Sequence, residues 1–155
     1  MQTHHGAKIF RFAGRKEEHK LRPMKENEIA TVVVDAAYRL HTGLGPGIFE
    51  IVYEVLLAHE LRKHGYSVER QVTVPITWDG IRFDEGFRAD LIIDNLVIVE
   101  LKSIASLDAV HSKQVLTYLR LMDKRLGLLI NFGEHMIKHG IKRIANGMPE
   151  EPLVL

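Results

Sequence analysis

The chain of 155 residues is long enough to bury one substantial core and too short for two ordinary domains. It contains no cysteine, which excludes disulfides, thiolate zinc sites and thiol catalysis and fits a reducing compartment. The sequence has neither an apolar run of about 18 residues nor a secretory leader, so we expect a cytoplasmic protein that does not span a membrane.

The net charge is only +1, but the basic residues are concentrated near the N-terminus. Residues 1–23 hold six basic and two acidic residues, which leaves 15 basic and 18 acidic residues elsewhere. A slightly acidic body is poorly suited to coating DNA non-specifically, because that mode of binding depends on many phosphate contacts. We predict a flexible basic tail over residues 1–23, a single domain over residues 24–148 and a C-terminal tail over residues 149–155. The basic tail is a nucleic-acid arm or, as we favour, a disordered extension.

Two helices are predicted at the start of the domain. Apolar residues at helical spacing indicate the first, over residues 25–41, and a Gly-rich segment with Pro46 ends it. On the second, over residues 48–64, Glu50 and Tyr53 share one face. Glu50 leans towards a functional site, or is simply favoured by the helix dipole. Tyr53 correspondingly braces the site, meets a phosphate, or is ordinary packing.

Strands are predicted over residues 68–78, 81–83 and 86–93, followed by a second apolar run over residues 96–99. The two runs meet at Asp94-Asn95, a typical hairpin signal. If the chain turned on these two residues alone, Ala89 would lie opposite Glu100. A three-residue connection, or a one-residue bulge, places Asp90 opposite Glu100 instead, and this is the arrangement that we predict.

Asp90, Glu100 and Lys102 are the residues in this hairpin that point to chemistry. Side chains alternate along a strand, so Glu100 and Lys102 project from one side, while Leu101 points away and offers its backbone carbonyl. Hard cations such as Mg²⁺ and Mn²⁺ prefer carboxylate and carbonyl oxygens, and a nearby lysine offsets charge on a phosphate. Arg88 shares the face of Asp90 in a regular strand, where it binds phosphate or neutralises the acids.

A third helix is predicted over residues 107–124, followed by a buried strand over residues 127–132 and a short strand or edge element over residues 137–145. Gln114 and Tyr118 lie one turn apart on the helix. Gln114 orients water or phosphate beside a metal while Tyr118 stacks or donates a hydrogen bond; alternatively, both are polar residues of a helix packed on the sheet.

Several of these motifs together resemble a known family. Gly47-Ile48-Phe49-Glu50-Ile51-Val52-Tyr53 is similar to the signature of the GxxExxY proteins, which belong to the PD-(D/E)xK nuclease superfamily. The resemblance includes Asp90, the Glu100-Leu101-Lys102 strand and Gln114-x-x-x-Tyr118, the last of which resembles an element of the RecB-like and Cas4-like branch. Ala89 stands where the superfamily name has proline.

The resemblance implies an α/β fold with a restriction-endonuclease-like core, a mixed β-sheet flanked by helices in the order α-α-β-β-β-α-β. It also implies Asp90, Glu100 and Lys102 in the catalytic positions and Glu50 as an accessory acid. We therefore expect a Mg²⁺- or Mn²⁺-dependent nuclease acting on DNA, in repair or in defence, with a homodimer or protein partner left open. The alternative is a non-catalytic module of the same fold that binds nucleic acid or a protein.

Overall fold

The computed structural model describes residues 25–150 and residue 153. The predicted tail over residues 1–23 lies outside the described residues, as do residues 151, 152, 154 and 155 of the predicted C-terminal tail. The elements in chain order are α1 (Lys25–Leu44), α2 (Glu50–Lys63), β1 (Val68–Trp78), β2 (Ile81–Ile93), β3 (Val97–Lys102), α3 (Ala109–Leu121), β4 (Leu126–Asn131), a 3-10 helix (Ile137–Gly140) and β5 (Ile141–Ala145). The predicted order of helices and strands is confirmed, and β5 is the short strand expected near residue 145.

The five strands form one sheet in the order β1-β2-β3-β4-β5. Neighbouring strands are antiparallel except for β3 and β4, which are parallel. Helix α3 connects this parallel pair, as a parallel connection requires a long crossover. The predicted mixed sheet flanked by helices is therefore present.

Two apolar clusters lie on opposite faces of the sheet. The first joins α1 and α2 to residues such as Leu91, Val99 and Leu101. The second joins α3 to Ile92 and Ile98, among others. Strands β3 and β4 are buried on both faces, as their near-continuous apolar sequences predicted. The molecule thus has three layers, with the sheet in the middle.

The hairpin between β2 and β3 has a three-residue connection, the first of the two arrangements that the sequence predicted. Ile93 pairs with Val97, so Asp94, Asn95 and Leu96 form the connection, and the same register pairs Leu91 with Val99. Asp94 and Asn95 have positive φ angles of 50° and 54°, which these two residue types tolerate better than most. Continued by one step, this register places Asp90 opposite Glu100.

The alternation of side chains along strand β2 is interrupted at Asp90, so that the two faces of the strand are exchanged there. Leu91 and Ile93 pack in the first cluster, whereas Ala89 and Phe87 contact the second, although strict alternation would place all four on one face. The partner strand β1 makes the same exchange between Val68, in the first cluster, and the pair Val72 and Val74, in the second. The exchange marks the point at which the site is built.

Beyond this point the β1–β2 hairpin continues into solvent. Trp78, Ile81 and Phe83 near its tip are exposed apolar residues, and Asp84 and Glu85 are also exposed. No helix of the described part is long and apolar enough to cross a bilayer.

Candidate active site

Asp90 and Glu100 meet where β2 and β3 separate. The backbone N–H of Asp90 donates to Glu100 Oε1 at 2.9 Å, and the backbone N–H of Leu101 donates to Asp90 Oδ2 at 2.9 Å. Each carboxylate therefore accepts a hydrogen bond from the opposite strand. The sheet register and these two bonds bring together the acids that the sequence singled out.

Burial and like charge disturb the titration of both acids. Glu100 is only 4% exposed. Burial, followed by the charge of Asp90, raises the pKa of Glu100 to about 8. Burial also raises the pKa of Asp90, and the charges of Glu54 and Glu50 add to that effect. Neither acid has a salt bridge to a basic side chain within residues 25–150.

Lys102 follows Glu100 by two positions at the end of β3 and is half-buried. Its charge lowers the pKa of Glu100, against the larger effect of burial. The backbone carbonyl of Lys102 accepts a 2.8 Å hydrogen bond from the N–H of Phe132, which fixes the end of β3 against the end of β4. The lysine is therefore anchored next to the acid pair.

Glu50 lies in the first turn of α2 and lines the same cavity as Asp90. Its Oε1 accepts a hydrogen bond from the backbone N–H of Ser103 at 3.3 Å. The hydroxyl of Ser103 in turn donates to the Ile48 carbonyl at 2.6 Å. The start of α2 is thus tied to the chain directly after Lys102, which brings Glu50 to the cavity that Asp90 also lines.

Tyr53 is fully buried. Its ring stacks on Phe132 with centroids 4.1 Å apart, and its hydroxyl donates to the carbonyl of Gly45. A residue in this position braces the connection between α1 and α2. The possibility that Tyr53 meets a phosphate does not fit its burial.

Gln114 and Tyr118 are joined to one another on α3. Gln114 Nε2 donates to the Tyr118 hydroxyl at 2.7 Å, and the Tyr118 ring lies 5.4 Å from that of Phe87. Burial raises the pKa of Tyr118 to about 12, and the charge of Glu100 adds to the shift. The hydroxyl therefore lies within the electrostatic reach of the acids.

Arg88 is exposed and forms no salt bridge with any acid of the described residues. The expectation that it shares a face with Asp90 assumed a regular strand. Because the faces of β2 are exchanged at Asp90, Arg88 and Asp90 need not lie on the same face although they are two residues apart. Neutralisation of the acid pair by Arg88 has no support in the geometry, whereas binding of phosphate stays a prediction.

A cavity of about 250 Å³ opens beside Asp90. Its lining consists of Glu50, Ile51, Glu54, Gln71, Asp90 and Leu101. Sequence reasoning missed Glu54 and Gln71 as parts of the site. Glu54 follows Glu50 by four residues, which was the available signal, whereas nothing in the sequence of β1 distinguishes Gln71.

A buried amide holds the loops behind the site. Asn131 is fully buried, and its Oδ1 accepts hydrogen bonds from the N–H groups of Ile104 and Gly133, each at 3.0 Å. Its Nδ2 donates to the Ile104 carbonyl at 2.9 Å. A Cβ on Gly133 would lie 2.1 Å from the Ile104 oxygen, so only glycine fits there. These contacts lock the loop after β3 against the loop after β4.

The donor atoms available for a metal ion at the acid pair are all oxygens. Hard cations such as Mg²⁺ use one or two carboxylates and complete their coordination with water and phosphate oxygens. Asp90 and Glu100 meet that requirement. No group of three histidine, aspartate or glutamate side chains in the described chain is close enough to hold a metal by itself.

A scan against protein-family models matched the model of the PD-(D/E)XK nuclease superfamily over residues 27–144. No curated protein and no solved structure matched the chain. The matched range begins within α1, at its third residue, and ends one residue before the end of β5, so it contains the acid pair and Lys102. The chain belongs to the PD-(D/E)XK nuclease superfamily.

Proposed function

We propose that this protein is a metal-dependent nuclease that hydrolyses phosphodiester bonds of DNA, with Asp90, Glu100 and Lys102 as its catalytic residues. Membership of a nuclease superfamily points to nucleic acid as the substrate. The observation that carries the proposal is the pair of hydrogen bonds from the Asp90 N–H to the Glu100 carboxylate and from the Leu101 N–H to the Asp90 carboxylate, which holds the two acids together.

The acid pair fits a divalent cation. PD-(D/E)XK nucleases generally use such ions, and in this chain neither half-buried Asp90 nor buried Glu100 forms a salt bridge with a basic side chain within residues 25–150. Asp90, Glu100 and the Leu101 carbonyl would hold Mg²⁺ or Mn²⁺, with Glu50 as an accessory ligand at the edge of the cavity. When bound, the ion polarises the phosphate and lowers the pKa of a coordinated water.

The remaining side chains have roles that follow from their charge and position. The Lys102 ammonium orients the attacking water and offsets the negative charge that develops on the phosphate. The carboxylate of Glu50 accepts a proton or orients water at the open side of the cavity. Gln114, whose amide nitrogen donates to the Tyr118 hydroxyl, would accept a hydrogen bond from water through its amide oxygen or donate its second amide hydrogen to phosphate.

Finer assignments extend the proposal. The Gly-x-x-Glu-x-x-Tyr segment supports the GxxExxY family, and Gln114 with Tyr118 supports the RecB-like and Cas4-like branch. A role in repair or in defence against foreign DNA fits a small nuclease domain, and a homodimer or partner would complete the substrate groove. The single domain over residues 24–148 and the cytoplasmic location stay predictions.

The test is cleavage of labelled single-stranded, duplex and flapped DNA, with matched RNA strands, in the presence of Mn²⁺. Wild type is compared with Lys102→Met and with Lys142→Met, which removes an exposed lysine from the outer strand β5. We expect wild type to cleave DNA, the cleavage rate to fall by about 100-fold or more in Lys102→Met, and Lys142→Met to keep the wild-type rate. Preferential cleavage of RNA would overturn the DNA assignment, and Mn²⁺ binding without cleavage of any strand would favour the non-catalytic module.

A further inference from the structure

Gln71 connects two carboxylates that lie on different elements. It lies on β1 between the pairs Arg70–Leu91 and Val72–Ala89, and therefore opposite Asp90. Its Nε2 donates to Glu54 Oε1 on α2 and to Asp90 Oδ1 at 3.3 Å. An amide nitrogen carries two hydrogens, so one group can serve both acids.

The backbone of Gln71 has a conformation that favours glycine. Its φ angle is +53°, in the left-handed region that residues with side chains rarely occupy. Glycine would adopt this angle without strain. The glutamine side chain makes contacts that glycine cannot make, namely the hydrogen bonds to Glu54 and Asp90.

Glu54 gives the amide a fixed anchor. It is 2% exposed, and its Oε2 accepts a 2.9 Å hydrogen bond from Arg70 Nη2 in an ion pair. The chain of contacts runs from Arg70 through Glu54 and Gln71 to Oδ1 of Asp90, while Leu101 N–H holds Oδ2. Both oxygens of Asp90 are thus oriented by the protein.

We propose that Gln71, anchored by Glu54, is a positioning residue that holds the Asp90 carboxylate in the orientation required for a divalent cation. This inference rests on the proposed function only in taking Asp90 as a metal ligand. Partners that orient a ligating group from behind typically change metal affinity or activity by about 10–100-fold when removed. Gln71 itself makes no contact with substrate in this account.

The test is calorimetric titration of Mn²⁺ into the full chain and its variants. Gln71→Gly removes the amide and relieves the backbone, and Gln71→Met removes the donor while keeping the length of the side chain. The matched control is Asp79→Gly, because Asp79 has the same φ of +53° at the exposed tip of the β1–β2 hairpin. We expect affinity for Mn²⁺ to fall by about tenfold or more in both Gln71 variants and to stay at the wild-type value in Asp79→Gly.

The thermal melting temperature separates positioning from a purely structural role. A Gln71→Gly variant that melts at or above the wild-type temperature and still binds Mn²⁺ about tenfold more weakly supports positioning. In a cleavage assay the same variant should lose kcat with KM unchanged, because the amide does not touch the substrate.

The outcomes distinguish this inference from the proposed function. If wild type binds Mn²⁺ and both Gln71 variants bind it equally or more tightly, positioning by Gln71 is wrong and the nuclease proposal stands. If wild type binds no Mn²⁺, the metal site and the positioning role are both wrong. If wild type binds Mn²⁺ but cleaves no nucleic acid, the loss of affinity in the Gln71 variants still supports the inference.

Discussion

Asp90 and Glu100 are cross-linked through the backbone at the point where their strands part. The Asp90 N–H donates to the Glu100 carboxylate, and the Asp90 carboxylate accepts from the N–H of Leu101, the residue after Glu100. The ladder between β2 and β3 extends from the turn as far as Leu91 and Val99. Beyond that pair, the two carboxylates accept hydrogen bonds from the backbone N–H groups of Asp90 and Leu101 in place of backbone carbonyls. The cavity beside Asp90 lies where the pairing between β2 and β3 has ended.

The stability of the metal-free protein should depend on Glu100 and on pH. Burial raises the pKa of Glu100 to about 8, from an ordinary value near 4.5, so the folded state binds this proton more tightly than the unfolded state does. The resulting stabilisation is complete below about pH 4.5 and is lost as the pH rises through about 8. In Glu100→Gln this loss disappears, and we expect the free energy of unfolding at about pH 9 to exceed that of wild type by on the order of 3 kcal/mol.

Urea denaturation at several pH values, with chelator present, measures this effect. Glu85→Gln is the matched control, because Glu85 is an exposed acid near the tip of the β1–β2 hairpin. It should keep the pH dependence of wild type. An unchanged pH dependence in Glu100→Gln would show that the burial of Glu100 does not cause the pH dependence of the free energy of unfolding.

Binding of Mn²⁺ should release protons from the acid pair. A metal ion requires ionised carboxylates, and Glu100 with a pKa raised to about 8 is largely protonated at neutral pH. We therefore expect Mn²⁺ affinity to rise between about pH 6 and pH 8 and then to level off. Calorimetry in buffers of different ionisation enthalpy counts the protons released, and affinity that is independent of pH over that range would contradict the assignment.

Tyr53→Phe should reduce stability without affecting the metal site. The substitution keeps the stacking on Phe132 but removes the hydroxyl that donates to the Gly45 carbonyl. We expect a loss of about 1 kcal/mol in the free energy of unfolding and unchanged Mn²⁺ affinity. Tyr38→Phe, which alters a half-buried tyrosine of α1, is the comparison and should change neither. Loss of Mn²⁺ affinity in Tyr53→Phe would instead make Tyr53 part of the site.

Asn131→Asp should destabilise the loops behind the site. Asn131 donates to the Ile104 carbonyl and is fully buried, so an aspartate there loses the donor and adds a buried charge. The expected cost is about 3 kcal/mol or more in the free energy of unfolding. Asn95→Asp is the matched control, because exposed Asn95 only accepts from Lys124 through its side chain, which aspartate also does. Equal stability of the two variants would exclude the bracing role of Asn131.

The sequence predicted the features that depend on periodicity and local turn chemistry. Alternation along β3 placed Glu100 and Lys102 together, and the requirement that Asp90 face Glu100 led to the three-residue connection found in the hairpin. Helical spacing placed Glu50 on the face of α2 that meets the cavity. Each of these inferences used one element or one pair of neighbouring strands.

Features that depend on irregular backbone or on contacts distant in sequence could not be predicted in this way. The expectation that Arg88 shares the face of Asp90 assumed regular alternation of side chains along β2. The exchange of faces at Asp90 and Gln71 interrupts that alternation. The link from Glu54 through Gln71 to Asp90 joins three elements, and a glutamine at a positive φ has no local sequence signal. The burial of Asn131 follows from the meeting of two loops, each unremarkable in sequence.

The most direct test of the acid pair as the catalytic centre is the rate of Mn²⁺-dependent DNA strand cleavage. Wild type and Glu100→Gln are purified in the same way and assayed side by side, with Glu85→Gln as the control. Glu100→Gln keeps the size of the side chain and removes only its ability to ionise. We expect cleavage by wild type and by Glu85→Gln, its abolition by chelator, and a rate about 100-fold or more lower in Glu100→Gln. Cleavage at the wild-type rate by Glu100→Gln would show that the acid pair is not the catalytic centre.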